Sequence, residues 1–136
     1  MKSHRLNILL VDDDIALNFV HRKILQKAGV AFDVISKEDA EDGILYLKDR
    51  IKLELSLPDL IFLDINMPGM DGWEFLEEYR KLDKTIRDQS VLVMLSSSLD
   101  PEDRILANSY QEVASFIIKP LTFDKIDLIM KLFFDS

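Results

Sequence analysis

The chain contains no cysteine, which excludes disulfides, thiolate catalysis and Cys-ligated zinc. No stretch is apolar for long enough to cross a bilayer. The start, Met1-Lys-Ser-His4-Arg-Leu-Asn7, enters a strand-like run without the hydrophobic region of a secretory signal. A cytoplasmic setting, away from membranes, is therefore expected. No Lys/Arg cluster stands out, and 17 basic against 25 acidic residues leave a net charge of −8, which argues against a nucleic-acid partner. No linker, low-complexity tract or internal repeat interrupts the 136 residues, so the expectation is one domain over residues 1–136 with no output domain. The composition, 48% hydrophobic and 31% charged, belongs to a soluble globular chain and not to a disordered one.

What is present is a recurring alternation. Leu6-Asn-Ile-Leu-Leu-Val11 is a near-continuous apolar run of the kind buried on both faces of a parallel sheet. It ends in Asp12, Asp13 and Asp14, the last well suited to cap a helix. The spacing of Leu17, Val20, Ile24 and Ala28 predicts that helix, with Gly29 as its stop. Phe32-Asp-Val-Ile35 reads as a second strand. Ser36, with Asp39 three residues on, resembles a helix start, and Ala40, Ile44, Leu45 and Leu47 give an apolar face. That segment continues past Arg50 to Leu55, long for one helix, before Pro58 closes it.

Leu60-Ile-Phe-Leu63 is a third strand, running directly into Asp64 and then into the loop Ile65-Asn66-Met-Pro68-Gly-Met-Asp71-Gly72, where Asp71 reads as a turn residue. Trp73, Leu76 and Tyr79, flanked by Phe75 and Leu82, form the next helical stripe. Ser90 to Leu95 is a fourth strand ending in Ser96-Ser97-Ser98, and Pro101 opens a helix to about Tyr110. Phe116-Ile-Ile118 is a last strand, ending at Lys119-Pro120, and Thr122 caps a final helix carrying Ile126, Ile129, Met130 and Phe133. Strand and helix alternate five times, which implies a parallel α/β sheet with right-handed crossovers and helices on both faces.

In such a sheet all strand ends of one sense share an edge, where ligands and chemistry gather. Topology thus brings Asp12, Asp13, Asp64, Ser96 and Lys119 to one rim. Three carboxylates together repel, and a hard divalent cation such as Mg²⁺ resolves that repulsion with one or two of them plus phosphate oxygens. Lys119 adds a charge suited to phosphoryl oxygens and Ser96 a hydroxyl. Charge and donors around the central Asp64 fit covalent phosphoryl transfer to an aspartate.

These residues closely resemble the receiver domain of two-component response regulators over essentially the whole chain. Asp12-Asp13 resemble the family's acidic pair, Asp64 its phosphoacceptor, Ser96 its Ser/Thr switch and Lys119 its lysine. The segments Asp64 to Gly72 and Lys119-Pro120 are the most specific. The resemblance implies a flavodoxin-like (βα)5 fold with strand order 2-1-3-4-5. It implies Mg²⁺ held by Asp13, Asp64 and the Asn66 backbone carbonyl, with Asp12 nearby through water. A histidine kinase or histidine phosphotransfer protein would be the phosphodonor, and neither His4 nor His21 is that donor. His21, beside the core stripe of the first helix, is read as structural. Pro120 is expected to follow a cis bond. The switch pairs Ser96 with the aromatic Phe116, which lacks the hydroxyl of the more common tyrosine. Ser98 has no carboxylate or amide to orient a water, so a long-lived phosphoryl-aspartate is expected. The long second segment and the stretch from Ser96 to Asp103 resemble single-domain receivers of the phytochrome-kinase-associated type.

Two other readings compete. An aspartate-nucleophile phosphatase of the haloacid dehalogenase type needs a second aspartate where this chain has Asn66. A degenerate receiver acting only as an interaction module conflicts with the complete set Asp12, Asp13, Asp64, Ser96 and Lys119. On surfaces, Phe19 is expected to face solvent and to help dock a partner. Leu128, Leu132 and Phe134 extend the apolar arc of the last helix beyond one stripe, an arc expected to be buried by self-association as a homodimer or by a partner.

Overall fold

In a computed structural model, described over residues 5–97 and 100–134, five parallel strands form one sheet in the order β2-β1-β3-β4-β5. The strands are β1 (Leu6–Val11), β2 (Ala31–Lys37), β3 (Leu60–Asp64), β4 (Val91–Ser96) and β5 (Val113–Ile118). Between and after them lie α1 (Ile15–Lys27), α2 (Ala40–Lys52), α3 (Gly72–Arg80), α4 (Lys84–Arg87), α5 (Pro101–Asn108) and α6 (Phe123–Phe133). The flavodoxin-like order expected above is the order found. No helix among the described residues is long and apolar enough to cross a membrane.

The period of two along the strands divides the core. Leu9 and Val11 of β1, with Ile61 and Leu63 of β3, pack against Ile44 and Leu47 of α2 and Phe75, Leu76 and Tyr79 of α3. Ile8 and Leu10, with Leu60 and Phe62, face Leu25 of α1 and Ile126 and Ile129 of α6. β3, at the centre of the sheet, is buried at every position from Leu60 to Asp64, which is why its sequence does not alternate.

Register levels the strand ends. Val11 pairs with Leu63, Asp64 with Leu95 and Ser96 with Ile118, so the residues that follow each strand emerge side by side.

The caps largely follow the chemistry of the sequence. The side chains of Asp14 and Thr122 accept from the Leu17 and Lys125 amides. Asp71 does more than turn the chain: it caps α3 and forms a reciprocal capping box with Glu74. Other expectations need correction. β2 runs on to Lys37, so Ser36 is a strand residue accepting from Arg22, and the cap of α2 is Asp39 alone. α2 ends at Lys52, and Glu54 takes a left-handed φ of 59°, which separates Leu55 from the helix. α4, a single turn capped by Asp83, is absent from the sequence reading because four residues cannot show a helical period.

The apolar stripe assigned to α1 is also displaced. Its buried positions are Asn18, His21 and Leu25, while Val20 is 50% exposed. Phe19 is exposed, as expected. On α6, Leu128 and Leu132 face outward, whereas Phe134 folds back against the core.

Candidate functional site

Asp12, the first residue beyond β1, is held from three sides. Its Oδ1 accepts from the Asp14 amide at 3.0 Å, its carbonyl accepts from Asn18 Nδ2 at 2.9 Å, and its own amide donates to the Lys37 carbonyl at 3.0 Å. Asp64 closes β3 and is 5% exposed. Lys119 follows β5 through a backbone tether, its amide donating to the Ser96 carbonyl at 2.8 Å. Its ammonium then stands 3.0 Å from Asp64 Oδ1 and 2.7 Å from Asp12 Oδ2. The Asp12 contact is an ion pair, and the buried Oδ2 makes no hydrogen bond beyond it. Asp13, the exposed member, completes a group in which carboxylate oxygens of Asp12, Asp13 and Asp64 lie within 4.8 Å of one another.

The electrostatics follow from this count of charges. Burial, followed by the Asp12 and Asp13 charges, pushes the Asp64 carboxyl above the ordinary carboxylate value despite the opposing pull of Lys119. Burial works against the charge on Lys119, but two carboxylates outweigh it and raise its pKa. One ammonium cannot neutralise three carboxylates. The surplus negative charge and the oxygen-only donor set fit a hard cation.

The remaining candidates surround this centre. Ser96, fully buried, ends β4 next to Asp64 and opposite Ile118. Asn66 is exposed in the loop two residues after Asp64. Phe116 of β5 pairs with Met94 of β4, and its half-buried ring lies under the Arg104 guanidinium, 5.3 Å from the ring centroid. The Lys119–Pro120 peptide is cis, as expected. His4 and Ser98, both weighed in the sequence, lie outside the described residues.

Two residues of the site escaped sequence reasoning as site residues: Asn18 and His21. They sit three positions apart on α1 with their polar ends inside the molecule, and His21 Nε2 accepts from the Leu121 amide at 3.1 Å. That contact puts the ring proton on Nδ1. Burial lowers the His21 pKa to about 4; Asp12 and Asp14 pull it upward and Lys119 downward.

The shift has a measurable consequence for stability. A histidine whose folded value of about 4 lies below the unfolded 6.5 favours the native state while neutral. That contribution is complete above pH 6.5 and is lost as pH falls toward 4. Its size is about 3 kcal/mol, the gap between the two values at about 1.4 kcal/mol per unit. Denaturant titrations at pH 6.5 and 4.5 are expected to show about 2 kcal/mol of this loss in the wild type and a flatter profile in His21→Gln. Equal pH profiles would refute the assignment.

Residues 8–131 match the response regulator receiver domain. The chain is 30% identical to the chemotaxis protein CheY of Bacillus subtilis over 124 residues, 91% of this chain and 92% of that protein. Among solved structures, it resembles a two-component response regulator from Cytophaga hutchinsonii with a TM-score of 0.88 and 28% identity over the whole of both chains. The bacteriophytochrome response regulator AtBRR is similar at a TM-score of 0.78 and 26% identity, over 97% of this chain and 96% of that one.

Proposed function

The chain belongs to the response regulator receiver family, and from that premise we propose that it accepts a phosphoryl group on Asp64 in a Mg²⁺-dependent step. The observation that carries the reading is the Lys119 ammonium set between Asp12 and Asp64, with three carboxylates converging beside it.

In the proposed step an Asp64 carboxylate oxygen attacks the phosphorus of a phosphohistidine on a histidine kinase or phosphotransfer protein. The new P–O bond forms as the P–N bond breaks, and the electron pair leaves with the imidazole nitrogen. Lys119 donates to a phosphoryl oxygen and stabilises the charge carried there. Asp13, Asp64 and the Asn66 carbonyl would hold Mg²⁺, with Asp12 in reach through water. When bound, the ion adds positive charge against the phosphoryl oxygens and offsets the crowded carboxylates.

Ser96 and Phe116 form the switch of this reading, turning the modification into altered protein contacts or onward relay. The acting unit is a single receiver domain over residues 1–136, working in the cytoplasm without nucleic acid or membrane. A shallow surface beside the acidic rim, where Phe19, Val20 and Phe123 are each at least half exposed, supports docking of the phosphodonor's helices. The exposed Leu128 and Leu132 support self-association through α6.

Intact mass after incubation with acetyl phosphate and Mg²⁺ tests the proposal. One added phosphoryl group is expected, absent in EDTA and lost over minutes or longer once the donor is removed. A wild-type chain that takes no phosphoryl group would overturn the reading and leave an interaction-only module.

A further inference from the structure

The proposed step makes no use of the buried imidazole on α1, yet His21 joins this helix to the loop that follows Lys119. Its Nε2 accepts from the Leu121 amide, 100 residues away, and both residues are almost wholly buried, at 1% and 2% exposure. Leu121 lies two residues beyond Lys119. One turn earlier on the same face of α1, Asn18 Nδ2 donates to the Asp12 carbonyl. A single helix thus grips the loop that carries Asp12 and the loop that carries Lys119, the two partners of the 2.7 Å ion pair.

We propose that His21 is a positioning residue for Lys119. Through the Leu121 amide it fixes the β5–α6 loop against α1, so that the lysine ammonium is directed at Asp12 and Asp64. This inference rests on the reading of Asp64 as a phosphoacceptor.

The physical case is one of register. Lys119 reaches the carboxylates on a flexible side chain whose rotamer freedom is costly to restrain, so its backbone origin must be well placed. On the β4 side that origin is tied by the Lys119 amide to the Ser96 carbonyl. From α6, Lys125 Nζ spans the Ile118 and Pro120 carbonyls at 2.6 and 3.0 Å, but this second ammonium is itself a mobile side chain. The tether from α1 is rigid by comparison: a planar ring on a 13-residue helix, seated in the core. Removing the acceptor strands a buried N–H, which the loop satisfies by moving toward water. Displacement of about 1 Å in a charge-stabilising group is enough to slow a reaction by up to about a hundredfold.

The variants are His21→Leu, which fills the space without an acceptor, and His21→Gln, whose side-chain oxygen sits at the same distance from the backbone as Nε2. The phosphorylation rate with acetyl phosphate and Mg²⁺ is expected to fall between about tenfold and a hundredfold in His21→Leu. In His21→Gln it is expected to recover to within about threefold of wild type, with Mg²⁺ affinity unchanged, while in His21→Leu, whose carboxylates lose their ammonium partner, Mg²⁺ affinity is expected to be no weaker than in wild type. NMR of the lysine side-chain ¹⁵Nζ groups reads the positioning directly. The Lys119 ammonium signal, protected by its two carboxylates, is expected in wild type and His21→Gln and lost in His21→Leu. Equal rates and an unchanged Lys119 signal in His21→Leu would overturn the proposal, as would failure of His21→Gln to restore either. If the wild-type chain takes no phosphoryl group, the phosphoacceptor reading fails, and the ammonium signal alone then decides whether His21 positions Lys119. A His21→Leu chain that does not fold leaves His21→Gln to carry the same two readouts against wild type.

Discussion

Asp64→Asn is expected to abolish phosphoryl acceptance completely and, in the absence of divalent cations, to raise the melting temperature of the protein. The first effect follows from the loss of the attacking oxygen: a neutral amide at that position is no nucleophile toward phosphorus. The second follows from the direction of the Asp64 pKa. Burial and the neighbouring Asp12 charge hold its proton more tightly in the folded state than in the unfolded chain, so the ionised carboxylate opposes folding at neutral pH. Asparagine keeps the shape and an oxygen 3.0 Å from the Lys119 ammonium, but removes one of the three converging charges. Asp12 then has the ammonium to itself. Thermal melts at pH 7 with EDTA and with Mg²⁺, beside intact mass with acetyl phosphate, measure both effects. The wild type is expected to gain more from Mg²⁺ than the variant, because binding to the native state stabilises it in proportion to affinity. A lower melting temperature for the variant in EDTA would mean that the Lys119–Asp64 attraction outweighs the crowding. A site that trades stability for reactivity is a general expectation of functional centres.

Gly72→Ala is expected to cost about 3 kcal/mol or more, at or beyond the upper end of what overpacking usually costs, and to lower the melting temperature by about 10 °C. A methyl group there would stand 2.5 Å from the Asp64 carbonyl oxygen and 2.9 Å from the Ile65 Cα, both backbone atoms. Neither side can retreat, because the Gly72 amide is bonded to the Ile65 carbonyl at 2.8 Å. The start of α3 is therefore pressed against the end of the strand that carries the acceptor. Phosphorylation should fall with stability, since relief of the clash must shift Asp64 itself. Gly69→Ala is the control, for there the space is open and only the left-handed φ of 76° resists a side chain. That strain costs about 1 kcal/mol and sits in the exposed loop away from the carboxylates. Equal melting temperatures for the two alanine variants would show that the contact at Gly72 relaxes freely.

The sequence by itself determined the architecture and the membership of the acidic rim. Five apolar runs, each too short for a helix and each closed by a charged or hydroxyl residue, leave little choice but buried parallel strands. Parallel strands deliver their ends to one edge regardless of detail. Asp12, Asp64, Ser96 and Lys119 were therefore legible from order alone. So were the helix starts, because Asp14 and Thr122 act within one turn of themselves.

What the tertiary structure decided are the features whose partners lie far along the chain. Asp71 reads as a turn residue until Glu74 is seen reaching back to it, and Ser36 as a helix start until β2 pairs through Lys37. Asn18 and His21 are polar, so a hydrophobic pattern assigns them outward and turns α1 by about one position, putting Val20 inside. Their burial is tolerated because each finds a partner: Asn18 Nδ2 donates to the Asp12 carbonyl, six residues back, and His21 accepts from the Leu121 amide, 100 residues on. No local pattern contains that second partner. A buried polar side chain is specified by what the fold brings to it, and that is why the inward face of α1, not the helix itself, was what the linear sequence concealed.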